Sequence, residues 1–365
     1  MENQKIVTAK KPKQIEYQFD FKSGLKTKAK KFLRSLLIKD YIRWDPWILK
    51  DDDVYRLFYL VGPKDTEVFW STGTIHGAIS SDLKQWQELG VILEPDLSSD
   101  WESGRMLAGS AYKEDGVYYL FYSAAGEGEP ALFYEEIGLA TSKDGLQWQR
   151  YSPHPRYLFS NLEERDRWYG KYKERFFFWR DPYIIKEPKD GKYYMLISAF
   201  LKAGLGSSRG CVGLAVADKM AGPYKILPPI VAPVVTEQVD ESEEWPFDEM
   251  ERPQVIYKDG KYHLFFSCWT NHLNPKWLQK VGKAKLSNSS VYWYISDKIT
   301  GPFRPVSEKP VVKGSEKTGI YGTNFLPVPN KPEEFITYGW YPRRMILGIS
   351  PLVRAYWRNN SIQIG

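Results

Sequence analysis

Short apolar and aromatic runs recur along this chain, broken at short intervals by polar, charged and Gly- or Pro-bearing stretches, the pattern of strands joined by turns. Five units share one pattern, in which an apolar strand turns at a charged or Gly-bearing loop and returns through an aromatic strand. They run from Asp45 to Leu60, Gly109 to Ser123, Asp181 to Ser198, Arg252 to Ser267 and Thr323 to Tyr338. Their return strands, such as Tyr118-Tyr-Leu-Phe-Tyr122 and Tyr262-His-Leu-Phe-Phe266, predict hairpins. Behind four of them a small-residue strand ends in Ser-Asp, Lys-Asp or Ala-Asp and a short turn leads to an aromatic: Asp82 to Trp86, Asp144 to Trp148, Asp218 to Tyr224 and Asp297 to Phe303.

The units open at 45, 109, 181, 252 and 323, spacings of 64, 72, 71 and 71 residues. Four strands per period make a propeller blade. A solenoid would want capping ends and a shorter period. The expectation is therefore an all-β, five-bladed β-propeller with four-stranded antiparallel blades over 41–365, preceded by a short helical or extended N-terminal segment, 1–40. The fifth unit shows no clear third and fourth strand, so a strand from the other terminus, such as Gln14 to Phe21, is expected to close the ring. Within Lys22 to Lys39, Leu25, Phe32, Leu33, Leu36 and Leu37 fall on one helical face opposite Lys and Arg, which predicts a helix packed on the propeller with its basic face in solvent.

Much of the net charge of +6 sits in that segment, and the remainder of the chain is close to neutral, so no basic surface for nucleic acid is expected. Only Cys211 and Cys268 occur, too few for a disulfide framework. The chain as given shows no signal-like apolar run and no stretch long enough for a membrane span, which reads as cytoplasmic. No His, Cys and carboxylate cluster has metal-ligand spacing, so neither metal nor cofactor is expected. Asp51-Asp52-Asp53 reads as a solvated hairpin turn. Nothing fixes the oligomeric state.

The innermost strands of a propeller begin near its axis, so residues that open successive repeats converge there. Repeat one opens Trp44-Asp45-Pro46-Trp47, repeat three Trp179-Arg180-Asp181-Pro182, and repeat four Glu249-Met250-Glu251-Arg252-Pro253-Gln254. Three blades are thus expected to place an acid at equivalent positions. Asp-Pro can open a strand without further purpose. Three carboxylates around one axis repel one another, however, and that arrangement points to use. Glycoside cleavage needs a carboxylate below the anomeric carbon and a protonated carboxyl beside the leaving oxygen, about 5 to 5.5 Å apart for retention. Glu249 beside Glu251 would raise the pKa of one of them, as an acid requires, while Asp45 stays ionised.

These residues resemble glycoside hydrolase family 68, the fructosyltransferases that include levansucrases and inulosucrases, a relative of the invertase family 32. Trp44-Asp45 with Trp47 is similar to that family's nucleophile motif, Ala108-Gly109-Ser110 to its substrate motif, Arg180-Asp181-Pro182 to its stabiliser, and Asp248 to Gln254 to its acid/base motif. Tyr321, ahead of Phe325-Leu326-Pro327, is similar to its late Tyr. The resemblance spans roughly Tyr41 to Pro342. It implies Asp45 as nucleophile, Glu251 as acid/base and Asp181 as the carboxylate that grips the fructosyl hydroxyls. It also implies a sugar pocket lined by Trp44, Ser110, Arg180, Glu249, Arg252 and Tyr321, with sucrose or a related fructoside as substrate. The family commonly carries an Arg some 18 residues after the acid/base, whereas this chain reads Cys268-Trp269-Thr270-Asn271-His272. Trp269 and His272 are the candidates for the outer subsite, and long polymer is not expected. An invertase- or arabinanase-like furanosidase and a non-catalytic sugar-binding propeller remain open.

Overall fold

The computed structural model describes residues 41–364 apart from 64–68, 152–153, 174, 283–288, 308, 314–319, 342–347 and 359–360. Five separate antiparallel sheets follow one another along the chain, one per repeat. Their first strands are Tyr41–Asp51, Arg105–Glu114, Trp179–Lys186, Glu251–Lys258 and Tyr321–Val328, and these pack on one another around the axis. Each pairs outward with the aromatic strand of its hairpin: Val54–Pro63, Val117–Ala125, Tyr193–Phe200, Lys261–Trp269 and Lys331–Tyr341. The architecture is the expected five-bladed propeller. Among the described residues no helix is long and apolar enough to cross a membrane.

The fifth blade corrects one expectation. Val353–Arg358 pairs with Lys331–Tyr341, and Ser361–Ile364 pairs with Val353–Arg358, so this blade supplies its own third and fourth strands. The borrowed strand is not needed. Its candidate, Gln14 to Phe21, and the helix expected over Lys22 to Lys39 lie outside the described residues.

The recurring Ser-Asp unit is a hydrogen-bonded turn. Asp82 Oδ1 accepts from the N–H groups of Lys84 and Gln85, both at 2.8 Å, and Asp144 Oδ1 accepts from Leu146 and Gln147 at 2.8 and 2.9 Å. A carboxylate that satisfies two turn N–H groups explains the motif in blades one and two, whereas in blades three and four Asp218 and Asp297 pair with Lys192 at 3.0 Å and Lys261 at 2.6 Å.

Blades are also clasped to their neighbours by a repeated pair. The hydroxyl of Tyr118 donates to Asp51 at 2.7 Å, that of Tyr193 to Glu114 at 2.6 Å, and that of Tyr262 to Glu187. Asp51 is therefore not the solvated turn residue expected: it is buried, and Lys113, Arg56 and Tyr118 outweigh the effect of its burial and hold its carboxyl down to about 2. Nearer the axis, the Ile184 and Ile48 N–H groups donate to Tyr112 and Tyr338 hydroxyls of adjacent blades at 2.7 and 3.0 Å. Between the sheets Phe121, Trp179, Leu196, Leu264 and Phe265 are fully buried, each contributing about 1.5–3 kcal/mol of transfer free energy.

Candidate active site

Every first strand is broken near its start by a β-bulge. Two residues face one on the partner strand between Trp44 and Trp47, Arg180 and Tyr183, Glu251 and Gln254, and Tyr321 and Asn324, and one extra residue sits between Leu107 and Gly109. Four of these bulges open in the left-handed region, with φ of 43° at Asp45, 55° at Asp181, 53° at Arg252 and 59° at Gly322. Such a bulge bends the strand and re-aims its side chain. Asp and Gly adopt this conformation readily, whereas an Arg there costs about 1–2 kcal/mol. Arg252 is held in it by three bonds. Its N–H donates to Asp181 Oδ2 at 2.9 Å, and its guanidinium donates to the carbonyls of Asp45 at 3.2 Å and Pro46 at 2.8 Å.

The register shifts the expected equivalence by one residue. Arg252, not Glu251, matches Asp45 and Asp181, because in each bulge the following residue is Pro46, Pro182 or Pro253. Glu251 matches Trp44 and Arg180. Two acids and an arginine hold the equivalent position, and the third acid enters the same pocket from the residue before it.

That pocket has a volume of about 380 Å³ and is lined by Asp45, Asp181 and Glu251, with Trp44, Glu249 and Arg180. Arg180 is its hub. One guanidinium nitrogen donates to Glu249 Oε2 at 3.0 Å and Glu251 Oε1 at 2.7 Å, and the other to Glu135 Oε2 at 2.8 Å. Phe178 covers the guanidinium, its ring centroid 4.3 Å from the central carbon. With Asp181 Oδ2 3.8 Å from the Arg180 Nε, four carboxylates surround one cation and cannot all ionise with equal ease. Burial drives Glu251 well above the usual carboxylate range, and the charges of Glu249, Asp181 and Asp45 reinforce this against the pull of Arg180. Burial would raise Glu249 too, but Arg180 and His272 override it and hold it low. Burial also pushes Asp45 up to about 6, with Asp181 adding to the rise and Arg252 opposing it. Trp340 donates a hydrogen bond to the Asp45 carboxyl, and Glu251 shares one with Glu249. The pocket thus sets a carboxyl raised by burial and by its acidic neighbours beside a second one raised to about 6, the kind of unequal pair that acid and nucleophile require.

Residues 46–207 match the glycosyl hydrolases family 32 N-terminal domain, and residues 202–348 match the levansucrase/invertase family. The levansucrase of Rahnella aquatilis is 26% identical over 221 residues, covering 54% of this chain and 44% of the relative. That of Erwinia amylovora is 27% identical over 219 residues, covering 52% and 44%. The chain is similar to the levansucrases and invertases. The match spans under half the length of these two relatives. In fold, the inulosucrase from Halalkalicoccus jeotgali bound to kestose superposes with a TM-score of 0.67 at 19% identity, covering 90% of this chain and 87% of that one. Bacillus subtilis levansucrase does so with 0.66 at 15% identity, covering 91% and 89%. An extracellular endo-arabinanase of Thermotoga petrophila is 30% identical over 172 residues, 44% of this chain and 33% of the relative.

In this pocket Trp44, Arg180, Glu249, Arg252, Tyr321, Trp269 and His272 line the wall together with the three acids. Ser110 does not. Its hydroxyl donates to the Pro182 carbonyl at 2.6 Å and joins blade two to blade three. Trp269 stacks on Tyr321 with ring centroids 3.9 Å apart. His272 Nδ1 lies 3.0 Å from Glu249 Oε2. Burial disfavours the imidazolium, yet Glu249 beside it prevails and the His272 pKa is raised. Sequence reasoning missed Arg105, Glu135, Trp70 and Trp340, and a small hairpin, Lys171–Tyr172 with Phe176–Phe177, that presents Tyr172, Phe176 and the following Phe178 to the pocket. The aromatic run Phe176-Phe177-Phe178-Trp179 directly before Arg180 was the available signal for the hairpin. No group of three His, Cys, Asp or Glu among the described residues is arranged to hold a metal ion.

Proposed function

We propose that this chain is a retaining β-fructofuranosyl enzyme that cleaves sucrose or a related fructoside and passes the fructosyl group to water or a sugar. The observation that carries the reading is the meeting of Asp45 and Glu251 in one pocket with Asp181 and Arg180, the Asp45 carboxyl raised to about 6 and the Glu251 carboxyl raised well above the usual range. Asp45 attacks the anomeric carbon while Glu251 delivers its proton to the leaving oxygen; the C–O bond breaks and a fructosyl ester forms on Asp45. Glu251, now a carboxylate, takes a proton from water or an acceptor hydroxyl, which attacks the ester and frees Asp45. Asp181, one oxygen of which accepts from the Arg252 N–H, grips ring hydroxyls with the other. The likeness to levansucrases, and to a levansucrase complexed with sucrose, supports fructosides as the substrate class.

The test is a panel of fructosides and arabinosides, with NMR following the configuration of freshly released sugar. Fructose released with retention supports the reading. Inversion, or arabinose in place of fructose, would move the chain to the arabinanase-like alternative, and no turnover on any furanoside to a sugar-binding propeller.

A further inference from the structure

Glu251 has to meet two demands that conflict. To act on a leaving group it must point in a fixed direction, and Arg180 fixes it through the 2.7 Å bond to Oε1. It must also hold a proton on Oε2, and a guanidinium bound to a carboxyl favours loss of that proton. Charges facing Glu251 are Arg180 and, from the other walls, Glu249, Asp181 and Asp45, with Cys268, Arg252 and His272 around them.

Glu135 stands on the far side of the same guanidinium. It opens the third strand of blade two, Glu135–Ser142, and touches Arg180 with one oxygen and Arg105 with the other, both at 2.8 Å. Arg105 is fixed in turn by the Leu132 carbonyl at 3.2 Å and the Trp70 carbonyl at 3.4 Å, and lies 4.9 Å over the Trp70 ring. Glu135 and Arg105 are only 4% and 3% exposed. A buried ion pair of this kind adds little to stability over an apolar pair of the same volume, so stability alone is a weak reason for it.

We propose that Glu135, braced by Arg105, is a positioning residue: it orients Arg180 and balances its charge, so that Glu251 is held in place and still keeps its proton. This rests on Glu251 being the general acid. Signs follow directly. Removing the Glu135 charge leaves Arg180 more fully available to Glu251, which then loses its proton at lower pH. Removing the Arg105 charge leaves Glu135 undivided for Arg180, and Glu251 holds its proton to higher pH.

The experiment compares Glu135→Gln, Glu135→Asp and Arg105→Met by pH–rate profiles on sucrose and on an activated aryl fructoside, and by ¹³C NMR titration of the Glu251 carboxyl, assigned from its loss in Glu251→Gln. Glu135→Gln is expected to move the basic limb and the Glu251 titration down by about one pH unit, the scale of a unit charge removed from a partly desolvated network, with sucrose turnover suffering more than aryl fructoside turnover. Glu135→Asp should restore most of the limb, and Arg105→Met should move it upward. An unmoved limb and titration in Glu135→Gln, or in Arg105→Met if the former does not fold, reduces Glu135 to packing and overturns the proposal. If the wild-type chain cleaves no fructoside, the assigned function fails, while the titration still reports whether Glu135 governs the Glu251 proton.

Discussion

Asp45→Asn should abolish turnover and make the fold more stable at neutral pH. The Asp45 carboxyl is raised from 3.8 to about 6, chiefly by burial. A carboxyl that binds its proton more tightly in the folded state favours that state below the unfolded pKa and progressively loses this contribution as pH rises to the folded pKa. At about 1.4 kcal/mol per pH unit, the ionised Asp45 therefore costs the fold about 3 kcal/mol above pH 6. Asn keeps the shape and adopts the left-handed backbone at this bulge as readily as Asp, so no strain is added. The attraction of the Arg252 guanidinium 4.0 Å away already opposes burial within this net shift, so it subtracts nothing further from the gain. Urea denaturation from pH 4 to 8 reads the effect: near-equal stabilities at pH 4, then a gap that opens to about 2–3 kcal/mol by pH 7 in favour of the variant. A gap that is independent of pH, or a variant less stable at pH 8 than at pH 4 relative to wild type, would refute the assignment of Asp45 as a carboxylate held ionised against its surroundings.

Wild-type kcat/KM should fall on the acid side with a midpoint near pH 6 as Asp45 takes up its proton, and an acid limb well below pH 5 contradicts this. Glu251→Gln should lose far more activity on sucrose than on a fructoside with an activated leaving group, which needs no protonation; equal losses speak against the acid role. Ser110→Ala removes the donor to the Pro182 carbonyl and should cost about 1–3 kcal/mol in thermal or urea unfolding while KM changes less than twofold. At high sucrose the products, besides the glucose released at each turnover, should be mainly fructose and short oligosaccharides, because Trp269 and His272 stand where a bidentate Arg would retain an acceptor. Abundant long levan or inulin in the product analysis would show otherwise.

The blades were legible because each carries its own local grammar: an aromatic return strand and an Asp-centred turn, both visible without tertiary context. The fifth blade hid its outer strands because residues 342–352 separate the second from the third and no Ser-Asp turn announces them. The acid positions were legible except for one residue of register, and the corrective signal was in the sequence. Pro46, Pro182 and Pro253 align the bulges, and that alignment places Arg252 beside Asp45 and Asp181. Arg105 and Glu135 could not be read the same way. Glu135 is one of two adjacent acids that open an ordinary strand, and only the closure of blade two on blade three brings it to Arg180. Ser110 erred in the opposite direction: a motif match placed it at the sugar, while alternation along Arg105–Glu114 turned its hydroxyl to the neighbouring blade.

The bulge that opens every blade also separates inheritance from invention. All five share a backbone interruption at the same depth, yet the residues standing there are Asp, Ala, Asp, Arg and Gly. The strand pairing on either side is indifferent to which of them is present. A fivefold frame can therefore change its reagent one spoke at a time, exchanging a nucleophile for a cation or a blank without renegotiating the sheet behind it, and the chemistry of the axis can drift while the wheel stays round.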